Sequence, residues 1–81
     1  MTREEIEKEV LEIVSGILKC EPNPDLSSES HPDWDSLNHI EIIFSIEEKF
    51  GFEFPRDKIH ELGAISSLTK EVTARVSNQT A

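Results

Sequence analysis

The sequence has few of the residues that cross-link small proteins or build common catalytic sites. Its 81 residues include one cysteine, Cys20, which excludes a disulfide framework and a zinc site made of several cysteines. A lone thiol suits a reducing compartment. The three glycines form neither a phosphate-binding loop nor a nucleophile elbow. Hydrophobic residues make up 36% of the chain, which is enough for a small helical core.

Long hydrophobic runs are also absent. The longest is Ile-Ile-Phe at residues 42–44, far shorter than the ~20 residues that span a bilayer. The first five residues are polar and acidic, where a signal peptide would be basic and then apolar. We therefore expect a cytoplasmic protein without membrane insertion, folded as a single domain over residues 1–81. A chain this short leaves little room for a deep catalytic cleft.

Positive charge is missing from the middle of the chain. The net charge is −9, from 17 acidic and 8 basic residues. No Lys or Arg lies between Lys19 and Lys49, whereas that stretch holds eight acids. Such a charge makes nucleic acid and anionic lipid poor partners. The acidic stretch is typical either of ordinary solubility charge or of a docking surface for basic partners.

The N-terminal third of the sequence predicts a helix followed by a long loop. Thr2 fits the N-cap of a capping box, and apolar residues then recur at helical spacing as far as Lys19, where the helix should end. Residues 21–35 contain three prolines and little periodicity, so they predict a loop. Leu26 and Trp34 are its only large apolar groups, and we expect both to anchor it to the core.

A second helix should begin at Ser36, with Asp35 as its N-cap, and stop at Gly51 after Phe50. One face of this helix is apolar and predicts core contacts. It comprises Ile42, Ile43, Ile46 and Phe50, with His39 among them as a hydrogen-bonded packing residue. A second apolar stripe, bordered by acids, lies beside this face. This second stripe is either a broader part of the core or a contact patch for a partner.

The remaining sequence predicts two more helices and no strand. Residues 56–62 suit a short helix closed by Gly63. A last helix follows, capped by Ser66 or Ser67 and frayed over the last five residues. The fold class is therefore all-α: a small four-helix bundle of three longer helices and one short helix, with a long loop between the first two.

Metal and catalytic patterns do not fit this sequence. A calcium loop starting at Asp33 would need Gly and Glu at the positions of Asn38 and Phe44. The three histidines are too widely spaced for a metal site. We expect no enzyme activity, no catalytic residues and no metal.

Ser36 is the one residue whose position suggests chemistry. A serine in the first turn of a helix is exposed, and the unpaired N–H groups and positive helix dipole there favour a phosphate by about 0.3–1 kcal/mol. Considered alone, such a serine is more often ordinary helix-start chemistry than a functional residue.

The segment around Ser36 resembles the acyl carrier protein family. The matching elements are Asp-Ser-Leu at residues 35–37, a Glu in the following aliphatic run, Glu-Glu-Lys-Phe-Gly at residues 47–51, and Pro55 after an extended step. The order of the helices over the whole chain also matches. The resemblance implies that Ser36 carries 4′-phosphopantetheine, added from coenzyme A by a phosphopantetheinyl transferase with Mg²⁺. The thiol of this arm would hold acyl groups as thioesters.

The resemblance also implies partner enzymes and a surface that binds them. The partners would be the transferase, an acyl-loading ligase or acyltransferase, and downstream synthases or transferases that act on a monomeric carrier. By similarity, the surface comprises Asp35, Leu37, Ile40, Glu41, Phe44, Glu47 and Glu48.

Some residues depart from the pattern of fatty-acid-synthesis carriers. Residues 31–34 read His-Pro-Asp-Trp where Asp-Leu-Gly is usual, and Asn38 and Arg56 occupy positions where an acid is common. The Trp-Asp-Ser-Leu form resembles stand-alone carriers of specialised pathways, such as polyketide, surface-polysaccharide or amino-acid-derived clusters. An aminoacyl or peptidyl carrier is an alternative. A non-catalytic acidic helical interaction module, in which Ser36 only begins a helix, is another.

Overall fold

The first helix, α1, spans Arg3–Leu18 in the computed structural model, which describes the backbone of residues 2–79 and the side chains of residues 2–76. The Thr2 hydroxyl oxygen accepts the Glu5 N–H at 3.2 Å, which confirms the predicted N-cap. The same hydroxyl donates to the Glu5 carboxylate at 3.2 Å, so Glu5 meets the side chain of the cap. Lys19 closes the helix in the left-handed conformation, with φ of 55°, where the sequence predicted its end.

The long loop after α1 is anchored to the core at both predicted points, since Leu26 and Trp34 are buried. Its backbone also pairs with the segment before the last helix. The Ser28 N–H donates to the Gly63 carbonyl at 2.7 Å, and the Ile65 N–H donates to the Leu26 carbonyl at 3.1 Å. These contacts give the loop a defined path across the bundle.

The second helix, α2, spans Ser36–Phe50, as predicted. The Asp35 carboxylate caps it by accepting the Asn38 N–H at 2.9 Å. Gly51 ends it in the left-handed conformation, with φ of 74°, and its N–H donates to the Glu47 carbonyl at 2.8 Å. A side chain is disfavoured in that conformation, so glycine suits this position.

The short helix is a 3₁₀ helix over Arg56–Glu61. The prediction that Gly63 closes it is wrong, because Leu62 is the C-cap and its N–H donates to the Ile59 carbonyl at 3.2 Å. Gly63 instead allows a close approach of the long loop. A Cβ at this position would lie 2.7 Å from the hydroxyl oxygen of Ser28.

The last helix, α3, spans Ile65–Gln79. The prediction that Ser66 or Ser67 caps it is wrong, because the helix begins before both. Its first intrahelical bond runs from the Leu68 N–H to the Ala64 carbonyl at 3.0 Å, so Ala64 occupies the N-cap position. The backbone is helical as far as Gln79, within the segment where fraying was expected. The final two residues lie outside the described part.

The all-α bundle of three longer helices and one short helix is confirmed. Residues 2–79 contain no strand, only an isolated bridge between Ser27 and Ala64. Helix α1 packs against both α2 and α3. The core combines apolar residues of all three: Ile6, Val10, Val14, Leu18, Ile42, Ile43, Ile46, Ile65, Leu68 and Val72. Across the described ranges, no helix is long and apolar enough to cross a membrane.

Candidate functional site

Ser36 occupies the first position of α2 with an exposed side chain, which confirms its predicted exposure. The neighbouring Asp35 carboxylate is engaged with the Asn38 N–H as the helix cap. The Ser36 hydroxyl forms no hydrogen bond with any group in the described part of the chain. It is therefore accessible to an external reagent, at the positive end of the helix dipole.

The loop residues that lead to Ser36 are held by the first turn of α2. The Asn38 side-chain amide donates to the Asp33 carbonyl at 2.7 Å. The Trp34 N–H donates to the His31 carbonyl at 3.1 Å, which forms a turn just before the cap. No role is predicted for Asn38 from the sequence, although an amide in a first helical turn is well suited to bind the preceding loop.

Trp34 and His39 connect this loop to the 3₁₀ helix. Trp34 is 3% exposed, and its indole Nε1–H donates to Nδ1 of His39 at 3.0 Å. Nε2 of His39 lies 2.8 Å from the Ile59 carbonyl oxygen. The prediction that His39 is a hydrogen-bonded packing residue is therefore confirmed. The structure adds that its partners lie on two other segments around Ser36.

A groove of about 300 Å³ opens beside Ser36. It runs between the start of α2 and the 3₁₀ helix and has both apolar and polar walls. The residues that line it include Trp34, Ile40, Ile59, Ser28 and His60. A group attached to the Ser36 hydroxyl has room to lie along this groove.

The outer face of α2 exposes three large apolar side chains, which we call the apolar stripe. Leu37 is 82% exposed, Ile40 is 44% exposed and Phe44 is 62% exposed. Their spacing of three and four residues places them on one side of the helix, away from the buried core face. Of the two alternatives left by the sequence, the structure supports a contact patch, since exposed apolar clusters mark interaction sites.

The acids beside the apolar stripe differ in what they contact. Glu41 and Glu48 are exposed. Glu47 is half-buried, and its Oε2 accepts the Phe54 N–H at 2.7 Å. Glu47 therefore fastens the extended segment after Gly51 to α2, a role that the sequence did not indicate.

The acidic stretch carries no internal charge compensation among the described residues. Within the described residues, the ion pairs join Lys49 to Glu9 and Arg75 to Glu71, each at 3.4 Å. Neither pair includes one of the eight acids between Lys19 and Lys49. No three His, Cys, Asp or Glu side chains within residues 2–76 are arranged to hold a metal ion. No ion pair therefore offsets the repulsion among these carboxylates in the described residues, although Asp35 and Glu47 each accept a backbone N–H.

We expect added salt to raise the melting temperature, because like-charge repulsion is screened over about 8–10 Å at 0.1–0.15 M ionic strength. Circular dichroism melting from low to moderate salt measures the effect. Glu48→Gln, which removes one exposed acid, should show a smaller rise than the wild type. A melting temperature independent of salt would show that the repulsion is negligible.

Similar proteins of known description identify the family. The chain is 33% identical to an acyl carrier protein of Rubrobacter xylanophilus over 84 aligned residues, which cover 100% of both chains. This chain belongs to the acyl carrier protein family. It is also 34% identical over 57 residues to an acyl carrier protein of Acidothermus cellulolyticus, with 70% of this chain and 68% of the relative covered. A third, from Thermosynechococcus vestitus, is 29% identical over 80 residues, with 95% and 99% covered. No protein-family model matches the chain.

Family membership confirms the resemblance seen around Ser36. Acyl carrier proteins are non-catalytic carriers, so this chain is a carrier and not an enzyme. In this acyl carrier protein, Asp35 and Ser36 line the groove at the start of α2, and Leu37 belongs to the apolar stripe.

Proposed function

We propose that this acyl carrier protein carries acyl groups as thioesters on a 4′-phosphopantetheine arm attached to Ser36. The supporting observation is the exposed Ser36 hydroxyl, which has no hydrogen-bond partner in the described residues and lies at the first position of α2. A phosphopantetheinyl transferase adds the arm from coenzyme A with Mg²⁺, so Ser36 requires no base of its own. The attached arm supplies a terminal thiol for the acyl group.

The surroundings of Ser36 suit a phosphate-linked arm. N–H groups at a helix start lack intrahelical acceptors, and the dipole there favours a phosphate by about 0.3–1 kcal/mol. No acid lies in the first turn of α2 to oppose it. The Asp35 carboxylate, just before the helix, is hydrogen-bonded to the Asn38 N–H. The adjacent groove provides a wall for the arm.

We further propose that partner enzymes bind the apolar stripe and the acids around it. This docking surface comprises Asp35, Leu37, Ile40, Glu41, Phe44, Glu47 and Glu48. Its exposed apolar side chains provide the contact area, and the exposed carboxylates attract basic residues on the partner. The proposed partners are the transferase, an acyl-loading ligase or acyltransferase, and downstream synthases or transferases.

Glu41→Lys should slow modification by the transferase without changing the melting temperature. Glu41 is exposed, so its replacement leaves the core intact, while the reversed charge repels a basic partner. We expect kcat/KM to fall roughly 3- to 10-fold, mainly through the association rate and more strongly at low salt. Single-turnover labelling at several salt concentrations measures this.

Glu12→Lys is the matched control for this experiment. It makes the same change in net charge at an exposed position of α1, outside the docking surface. Equal slowing in both variants would attribute the effect to net charge and remove the support for docking on α2.

We propose that the carrier serves a specialised pathway and not housekeeping fatty-acid synthesis. The supporting feature is Trp-Asp-Ser-Leu at residues 34–37, which resembles stand-alone carriers of specialised pathways, together with the lack of a glycine in the approach to Ser36. The intact mass of the protein, purified from the organism that makes it, would reveal the attached acyl group. A homologous series of straight-chain fatty acyl groups would contradict the specialised role.

A further inference from the structure

Both ring nitrogens of His39 are engaged in hydrogen bonds. The indole Nε1–H of Trp34 is only a donor, so Nδ1 of His39 accepts it at 3.0 Å. The Ile59 carbonyl is only an acceptor, so Nε2 of His39 carries a proton and donates it at 2.8 Å. The two bonds together require the neutral Nε2–H tautomer. We call this arrangement the histidine bridge.

The histidine bridge joins three segments that surround Ser36. Trp34 lies two residues before Ser36, His39 lies three residues after it on α2, and Ile59 belongs to the 3₁₀ helix. Trp34, His39 and Ile59 all line the groove beside Ser36. The bridge therefore fixes the distance between the two walls of that groove.

The 3₁₀ helix lies between two buried residues, Phe54 and Leu62, but has little buried surface of its own. None of its six residues is fully buried, although Ile59 packs partly against the core. Within the described part of the chain, the bond from His39 to the Ile59 carbonyl is the only hydrogen bond between α2 and the 3₁₀ helix. The imidazole of His39 therefore supplies the direct hydrogen bond that orients this helix toward the start of α2.

We propose that His39 is a positioning residue, which holds the 3₁₀ helix and the Trp34 indole in fixed positions relative to Ser36. It thereby sets the width of the groove and the surface that an enzyme meets when it approaches the serine. The consequence for enzyme kinetics rests on the function proposed for Ser36, whereas the structural role of the bridge does not.

Loss of the imidazole should release both walls of the groove. In His39→Leu the buried indole N–H loses its acceptor and the Ile59 carbonyl loses its donor. In His39→Gln the side-chain carbonyl and N–H₂ groups can replace one bond each. His60→Leu is the control for hydrogen exchange, because His60 lies on the same 3₁₀ helix but is exposed and outside the bridge.

Two measurements test the structural role. Nitrogen-15 NMR of the wild-type imidazole should show the neutral Nε2–H tautomer, and this measurement needs no variant. Amide hydrogen exchange at Lys58 and Leu62, whose N–H groups are bonded within the short helix, should accelerate roughly 10-fold in His39→Leu. His39→Gln and His60→Leu should exchange close to the wild-type rate. An Nδ1–H tautomer, or wild-type exchange in His39→Leu, would overturn the proposal.

Transferase kinetics test the positioning role. We expect His39→Leu to raise the KM for the carrier about 10-fold with little change in kcat, and His39→Gln to restore most of the loss. If His39→Gln is as impaired as His39→Leu, positioning by the bridge is wrong. If the wild type itself is not modified, the proposed function of Ser36 fails, whereas the tautomer and exchange results still decide the role of His39.

Discussion

Ser36→Ala is expected to abolish modification by the phosphopantetheinyl transferase while the fold persists. Alanine lacks the hydroxyl that would form the phosphodiester. It is also a good helix former, and Ser36 is exposed and forms no hydrogen bond through its hydroxyl within the described residues. The free energy of unfolding should therefore change by less than ~0.5 kcal/mol. Intact mass measures the modification, and chemical unfolding measures the stability.

Ser66→Ala is the control for this variant. Ser66 is also an exposed serine in the first turn of a helix, but it lies in α3 and outside the Asp-Ser-Leu sequence of residues 35–37. We expect full modification of this variant. Labelling of Ser36→Ala at the wild-type rate would show that another residue carries the arm.

Ile46→Ala is expected to cause a large loss of stability. The Ile46 side chain is fully buried between the helices, and truncation of such a residue leaves a cavity. The expected cost is about 2–5 kcal/mol, a large part of the total stability of a domain of this size. Urea unfolding followed by circular dichroism measures it.

Phe44→Ala is the matched change on the opposite face of the same helix. Because most of the Phe44 ring is exposed, we expect a cost below ~1 kcal/mol in the free energy of unfolding, together with slower modification by the transferase. A loss of stability equal to that of Ile46→Ala, with normal modification, would assign the apolar stripe to the core. The docking surface would then lie elsewhere.

The helices were predictable because local sequence determines their ends. Thr2 and Asp35 accept backbone N–H groups at the starts of α1 and α2, and Gly51 adopts the left-handed conformation that ends α2. Periodicity also distinguished the core face of α2 from the neighbouring apolar stripe, but it left open whether that stripe is exposed. Leu26 and Trp34 were identified as loop anchors because no other large apolar groups occur in that loop.

The errors arose where contacts between distant segments outweigh local preference. Gly63 was predicted to end the short helix. Glycine instead suits this position because Ser28 of the long loop passes beside it and leaves no room for a side chain. Ser66 and Ser67 looked like caps, but the pairing of the Ile65 N–H with the Leu26 carbonyl accompanies an earlier start of α3.

The roles of Glu47 and His39 depend on tertiary structure in the same way. The Glu47 carboxylate binds a backbone N–H seven residues ahead, and His39 binds a carbonyl twenty residues ahead. Neither separation follows a helical or turn pattern. A sequence can therefore suggest that His39 is hydrogen-bonded, but only the fold shows that its bonds join the two walls of the groove at Ser36.

The intact mass of the wild-type protein after incubation with coenzyme A, Mg²⁺ and a broad-specificity phosphopantetheinyl transferase tests the role of Ser36 most directly. We expect the mass of one phosphopantetheinyl group to be added, and fragmentation of the product to locate it on Ser36. An unchanged mass, or a group located on another residue, would contradict the proposed attachment site.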